Sequence, residues 1–136
     1  MAEAKKAKYR VGMIGGGRKG TQHARAYELN PRSEVVAIAD TDPENLELFK
    51  QRFKLNTGYS DYREMLEKEN LDIVAPILPV GPNPDVVIGC ARSGKVKAIF
   101  CEKPMAISLE QADTMVEECR KRGIKFASGD AYRSFQ

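Results

Sequence analysis

A chain of 136 residues with a formal net charge of +3, 42% hydrophobic and 30% charged, is long enough to bury one core and short for two domains. This balance excludes a disordered or low-complexity protein, and no basic stretch interleaved with aromatics points to nucleic acid. No apolar run reaches the length of a membrane span, so no membrane partner is expected.

Residues 1–8, with Lys5, Lys6 and Lys8, read as a flexible basic tail ahead of one domain over 9–136. The cysteines Cys90, Cys101 and Cys119 form no C-x-x-C pair and the one histidine is His23, so no metal site is expected. An odd cysteine count, with charges where a secretory apolar segment would lie, fits a reducing, cytoplasmic setting.

Short Val- and Ile-rich runs alternate with amphipathic stretches, the pattern of parallel strands joined by helices. Tyr9 to Ile14 is the first strand, followed by a glycine turn and a helix from about Lys19 to Leu29 that Asn30-Pro31 stops. Glu34 to Ala39 is the second strand. Asp42-Pro43-Glu44 then caps a helix reaching Phe53, with Pro43 at its first position.

A brief strand is expected near Thr57 to Tyr59, then a helix over Asp61 to Lys68 and a fourth strand over Ile73 to Ile77. The prolines between Pro79 and Pro84 predict a rigid loop, and a helix starts at Pro84 or Asp85 and ends at Gly94. Ala98 to Cys101 is the fifth strand. Ser108-Leu109-Glu110-Gln111 is a capping box for a helix to about Arg122, closed by Gly123, and Lys125 to Ser128 is the sixth strand. The whole is an α/β, doubly wound, mostly parallel six-stranded sheet with helices on both faces.

Gly15-Gly16-Gly17-Arg18-Lys19-Gly20 places G-x-G-x-x-G between the first strand and the first helix, the context that a dinucleotide-binding turn requires. Gly15 permits the tight turn, Gly17 lets a pyrophosphate approach the backbone, and Gly20 allows close packing of helix on strand. A diphosphate would meet free N–H groups at the helix start. Asp40, 20 positions after Gly20 at the end of the second strand, can accept both hydroxyls of an adenosine ribose and would repel a 2′-phosphate. NAD is therefore the expected cofactor. NADP stays possible, because Arg18 and Lys19 could neutralise either the extra phosphate or the diphosphate. Asp40 could also serve only as a turn cap in its D-x-D-P stretch.

Val11 through Arg18, His23-Ala24, Ala37 through Asp40, Tyr59 through Tyr62, Cys101-Glu102-Lys103-Pro104 and Gly129 through Arg133 resemble, block by block, the glucose-fructose oxidoreductase, inositol 2-dehydrogenase and rhizopine catabolism family. The resemblance spans almost everything after Tyr9. It implies a Rossmann NAD(P)-binding fold and a hydride transfer between a nicotinamide cofactor and a secondary alcohol of a sugar, cyclitol or related polyol. By similarity, Lys103 is the catalytic residue near the nicotinamide, bonding the reacting oxygen, while Glu102 fixes the lysine and the nicotinamide ribose. Pro104 is often preceded by a cis peptide in such proteins. Independently, open parallel sheets bind ligands beyond the carboxyl ends of their strands, where Lys103 falls.

The chain departs from the family where Thr-Pro and a later His are usual: it has Leu78-Pro79 and then Asn83, which by similarity are expected to contact the nicotinamide end of the cofactor. The spacing from Gly94 to Glu102 is also slightly long. His23 is expected to pack or bond locally, and Cys101 to be a small buried residue rather than a nucleophile.

Family members continue into a second, substrate-binding and oligomerisation domain, for which this sequence has no residues. The expectation is thus a cofactor-binding domain without full turnover, with a small polyol or sugar as substrate only when that domain is supplied, and with some self-association. A non-catalytic NAD(P) sensor is the alternative. An S-adenosylmethionine methyltransferase is disfavoured by apolar Met13-Ile14 before the turn, and a short-chain dehydrogenase by the lack of Tyr-x-x-x-Lys.

Overall fold

Hydrogen bonding between parallel strands organises the chain in a computed structural model that describes residues 7–129. In chain order the elements are β1 (Tyr9–Ile14), α1 (Arg18–Leu29), β2 (Ser33–Ala39), α2 (Pro43–Phe53) and α3 (Tyr62–Lys68). There follow β3 (Ile73–Pro76), α4 (Asn83–Ser93), β4 (Ala98–Cys101), α5 (Leu109–Lys121) and β5 (Lys125–Ser128). Most of the basic tail, residues 1–6, and the block from Asp130 to Arg133 lie outside the described residues.

The sheet has five strands in the order β2-β1-β3-β4-β5, all paired in parallel. The strand expected near Thr57 to Tyr59, third of the six in chain order, is reduced to one bridge between Ala39 and Tyr59. Tyr59 exchanges bonds with Ile38 and Asp40, but Gly58 before it packs on Leu46, and Ser60-Asp61 after it already turn into the Asp61 cap of α3. No length of extended chain is left for a second bridge.

Alternation along β1 divides the core. Val11 and Met13 face a cluster with Ala24 of α1 and Phe49 of α2, while Ile14 faces Met65, Val87, Cys90, Met115 and Cys119 from α3, α4 and α5. A sheet covered on both faces explains why the strands read as apolar runs and why Val11, Met13, Val74 and Ile99 are almost wholly buried. The buried Cys101 packs in the same cluster, as expected.

Helix boundaries follow local chemistry. Asp42 accepts the N–H groups of Glu44 and Asn45, Asp61 that of Arg63 and Ser108 that of Gln111. The Gln111 amide reaches back to Ile107 N rather than to Ser108, one residue beyond the usual capping-box partner. The proline-rich loop is shorter than expected, because Asn83 and Pro84 belong to the first turn of α4, where a missing N–H costs no helical bond.

Candidate functional site at the carboxyl ends of the strands

From β1 the chain passes to β2 on one side, and its next strand, β3, lies on the other side of β1. A crevice opens where the connections diverge, beyond the carboxyl ends of the strands. The glycine turn forms its floor. Gly15 has φ +99°, donates its N–H to Ala39 O at 2.9 Å, and carries its α-carbon so close to the Ile77 carbonyl that a Cβ would collide with it. A Cβ on Gly20 would collide with the Gly15 carbonyl oxygen, so the first turn of α1 sits directly on the glycine loop.

Gly17 is different. A Cβ there would meet nothing closer than Asn45 Nδ2 at 3.9 Å, so its bare backbone faces open space. It is also the N-cap of α1, with no side chain bonded to the first-turn N–H groups and no acid in that turn. Uncovered donors at the positive end of a helix, flanked by Arg18 and Lys19, suit a phosphate group.

Asp40 closes one side of this floor. Its Oδ2 accepts the N–H of Gly16 at 2.7 Å and its Oδ1 that of Asp42 at 2.8 Å. The turn-cap role is therefore real, and each oxygen still has a lone pair for a further donor. Beside it lies a cleft of about 340 Å³ with Gly15 at its base and hydrocarbon walls from Ile14, Leu78 and Val86. Tyr62 and Val86 of this cleft went unnoticed in the sequence as site residues. Tyr62 was visible only as part of the Tyr59 to Tyr62 block, and Val86 only as an apolar helix position.

On the other side of Leu78, a second cavity of about 400 Å³ brings Gly17, Lys19, Pro79, Glu102 and Lys103 together. Arg18 and Gly20 border it as well. The exposed Lys103 stands at the start of a turn with a cis Lys103–Pro104 bond. Glu102 is held from two sides: Oε1 accepts the Lys103 N–H at 3.0 Å, and Oε2 pairs with His23 Nε2 at 2.6 Å. Burial pushes the Glu102 carboxyl up, but the bonds from His23 and Lys103 and the charges of His23 and Lys19 outweigh it and hold it below the usual range.

His23 thus departs from the local role expected of it. Its partner is 79 positions away, and its ring rests near Phe100 with centroids 5.7 Å apart. Asn83 also departs. It is fully buried, donates Nδ2 to Met105 O at 3.1 Å, leaves Oδ1 unpartnered and borders neither cavity. Every other residue singled out from the sequence as catalytic or cofactor-binding lines one cavity or the other.

Comparison with known proteins agrees with this geometry. The family model described as oxidoreductase family, NAD-binding Rossmann fold, matches residues 9–129. A myo-inositol 2-dehydrogenase of Thermotoga maritima is 32% identical over 120 residues, covering 88% of this chain and 35% of that protein. The WlbA dehydrogenase of Bordetella pertussis, solved in complex with NADH and UDP-GlcNAcA, superimposes with a TM-score of 0.83 at 31% identity, over 90% of this chain and 37% of that one. An oxidoreductase of Agrobacterium radiobacter, solved with NAD+, L-tartaric acid and magnesium, gives 0.88 at 26% identity, over 93% and 36%. The chain spans about a third of the length of the relatives it matches.

Proposed function

We propose, from the premise that the chain belongs to the oxidoreductase family with an NAD-binding Rossmann fold, that it holds a nicotinamide dinucleotide for the oxidation of a secondary alcohol on a sugar, cyclitol or related polyol, or the reverse reduction. The observation that carries this reading is the convergence of Gly17, Lys19, Glu102 and Lys103 on one cavity, with Asp40 at the rim of the cleft next to it.

The residues fit the cofactor part by part. The hydrocarbon walls of the Asp40 cleft suit an adenine ring, and the free lone pairs of Asp40 suit the two hydroxyls of its ribose. A 2′-phosphate would meet that carboxylate, which favours NAD over NADP. The open backbone at Gly17 and the uncapped start of α1 suit the diphosphate, leaving the Glu102 and Lys103 cavity for the nicotinamide end.

When bound, the nicotinamide ring supplies the hydride acceptor or donor. Lys103 then works through its Nζ: in the oxidising direction the neutral amine accepts the hydroxyl proton as the hydride leaves the carbinol carbon, and in the reducing direction the ammonium hydrogen-bonds the carbonyl oxygen and returns that proton. Glu102 keeps the lysine backbone in register through the Lys103 N–H. Binding by this chain alone is expected, and turnover of a polyol by it alone is not.

The experiment is a calorimetric titration of the full chain with NAD+, beside incubation with NAD+ and a panel of cyclitols and aldoses while NADH absorbance is followed. Saturable NAD+ binding with negligible NADH formation is expected. Absence of NAD+ binding overturns the cofactor assignment, and an ordinary enzymatic rate overturns the division between binding and turnover.

A further inference from the structure

We infer that His23 is a positioning residue that sets both the place and the effective charge of Glu102, and through it the relative affinity of the site for oxidised and reduced nicotinamide. This rests on the reading that the Glu102 and Lys103 cavity receives the nicotinamide end.

The pair is short, at 2.6 Å, and shielded, with side chains only 22% and 15% exposed. It joins α1, the helix whose start forms the phosphate floor, to the turn after β4 that carries Lys103. The Phe100 ring, on β4 two residues before Glu102, lies beside the imidazole and adds no charge to the pair.

Charge around the cavity makes this pairing consequential. Among the described residues that border it, Arg18, Lys19 and Lys103 carry positive charge and Glu102 alone carries negative charge. Lys19, one turn before His23 on α1, also acts on Glu102. With a neutral imidazole as donor, Glu102 presents a full negative charge to the cavity. With an imidazolium, the pair is neutral and the three cations dominate.

Oxidised and reduced cofactor share adenosine, both riboses and the diphosphate, and differ in the nicotinamide, whose ring is cationic in NAD+ and neutral in NADH. Loss of the His23 proton therefore favours the oxidised form, and by reciprocity bound NADH favours the protonated histidine. The chain takes up a proton on His23 as the balance of bound forms moves toward NADH.

The test is titration of the full chain with NAD+, NADH and ADP-ribose from about pH 6 to about pH 8. In the wild type the ratio of the NADH Kd to the NAD+ Kd is expected to rise about fivefold or more from the lower to the upper end. His23→Gln, which keeps an N–H for Glu102 but does not titrate, should flatten the ratio, as should Glu102→Gln. His23→Ala should flatten it and weaken NAD+ more than His23→Gln does. A wild-type ratio that does not move with pH, or a slope that persists in His23→Gln, overturns the inference while leaving the cofactor assignment standing. If NAD+, NADH and ADP-ribose bind alike at every pH, the nicotinamide is not held here and both fall.

Discussion

The α-carbon of Gly20 lies against the carbonyl oxygen of Gly15, so close that no side chain fits between them. Gly17, three residues earlier, has open space at the same point. These two glycines therefore predict opposite phenotypes. Alanine in a helix is ordinarily about 1 kcal/mol better than glycine. Gly20→Ala should instead destabilise the fold by about 1–3 kcal/mol, because α1 must move off the glycine loop. Gly17→Ala should fold within about 1 kcal/mol of the wild type. Its methyl group would occupy the open space proposed above for phosphate, and on that proposal NAD+ affinity should fall about tenfold or more, near 1.4 kcal/mol. Urea unfolding and NAD+ titration of both variants separate the two effects.

Asn83 predicts an order rather than a size. Its Nδ2 donates to Met105 O in a fully buried position, tying the start of α4 to the turn that follows Lys103. Asn83→Ala removes the donor but also the unpartnered Oδ1, so its cost should be modest, about 1–3 kcal/mol. Asn83→Asp places a second acceptor against the Met105 carbonyl and buries a charge. It should be the less stable of the two at neutral pH, and the gap should narrow in acid as the new carboxyl protonates. Thermal unfolding at two pH values decides this, and equal stability at neutral pH would contradict it.

Glu118 sets part of the acid limb. It accepts hydrogen bonds from Arg92 of α4 and from Arg122 just past α5, with Lys121 close by. The Arg92 bond leads the groups that hold its carboxyl below the usual range against the opposing effect of burial. A depressed carboxyl stabilises the fold above the ordinary glutamate range, about pH 4.3, and that stability is lost as pH falls through the lower folded value. Glu118→Gln should lower the melting temperature near neutrality and flatten its fall over that acid interval. An unchanged pH profile would show that the pair between α4 and α5 contributes nothing.

Much of this site was legible in the sequence because its parts are local. Gly15, Gly17 and Gly20 fall within one turn, and Asp40 ends the strand paired to β1, so spacing alone places the carboxylate beside the loop. The Asp42, Asp61 and Ser108 caps are legible for the same reason. What was missed depends on distant contacts. His23 and Glu102 meet only because α1 and the end of β4 flank the same crevice, which no helical spacing reveals. Asn83 sits in a stretch that reads as loop, and its burial depends on Met105, 22 positions away. Thr57 to Tyr59 has the residue types of a strand but keeps only one bridge, because the turns on either side consume its neighbours.

The proposal of a dinucleotide site turns on Asp40, whose carboxylate accepts the Gly16 N–H of the glycine loop. Side-by-side titration of wild type and Asp40→Ala with NAD+ and NADP+ tests it most directly. Wild type should bind NAD+ more tightly than NADP+, and Asp40→Ala should weaken NAD+ by about tenfold or more, as expected for lost charge-assisted bonds, while weakening NADP+ less. Tighter wild-type binding of NADP+, or an Asp40→Ala variant that binds NAD+ as the wild type does, would contradict it.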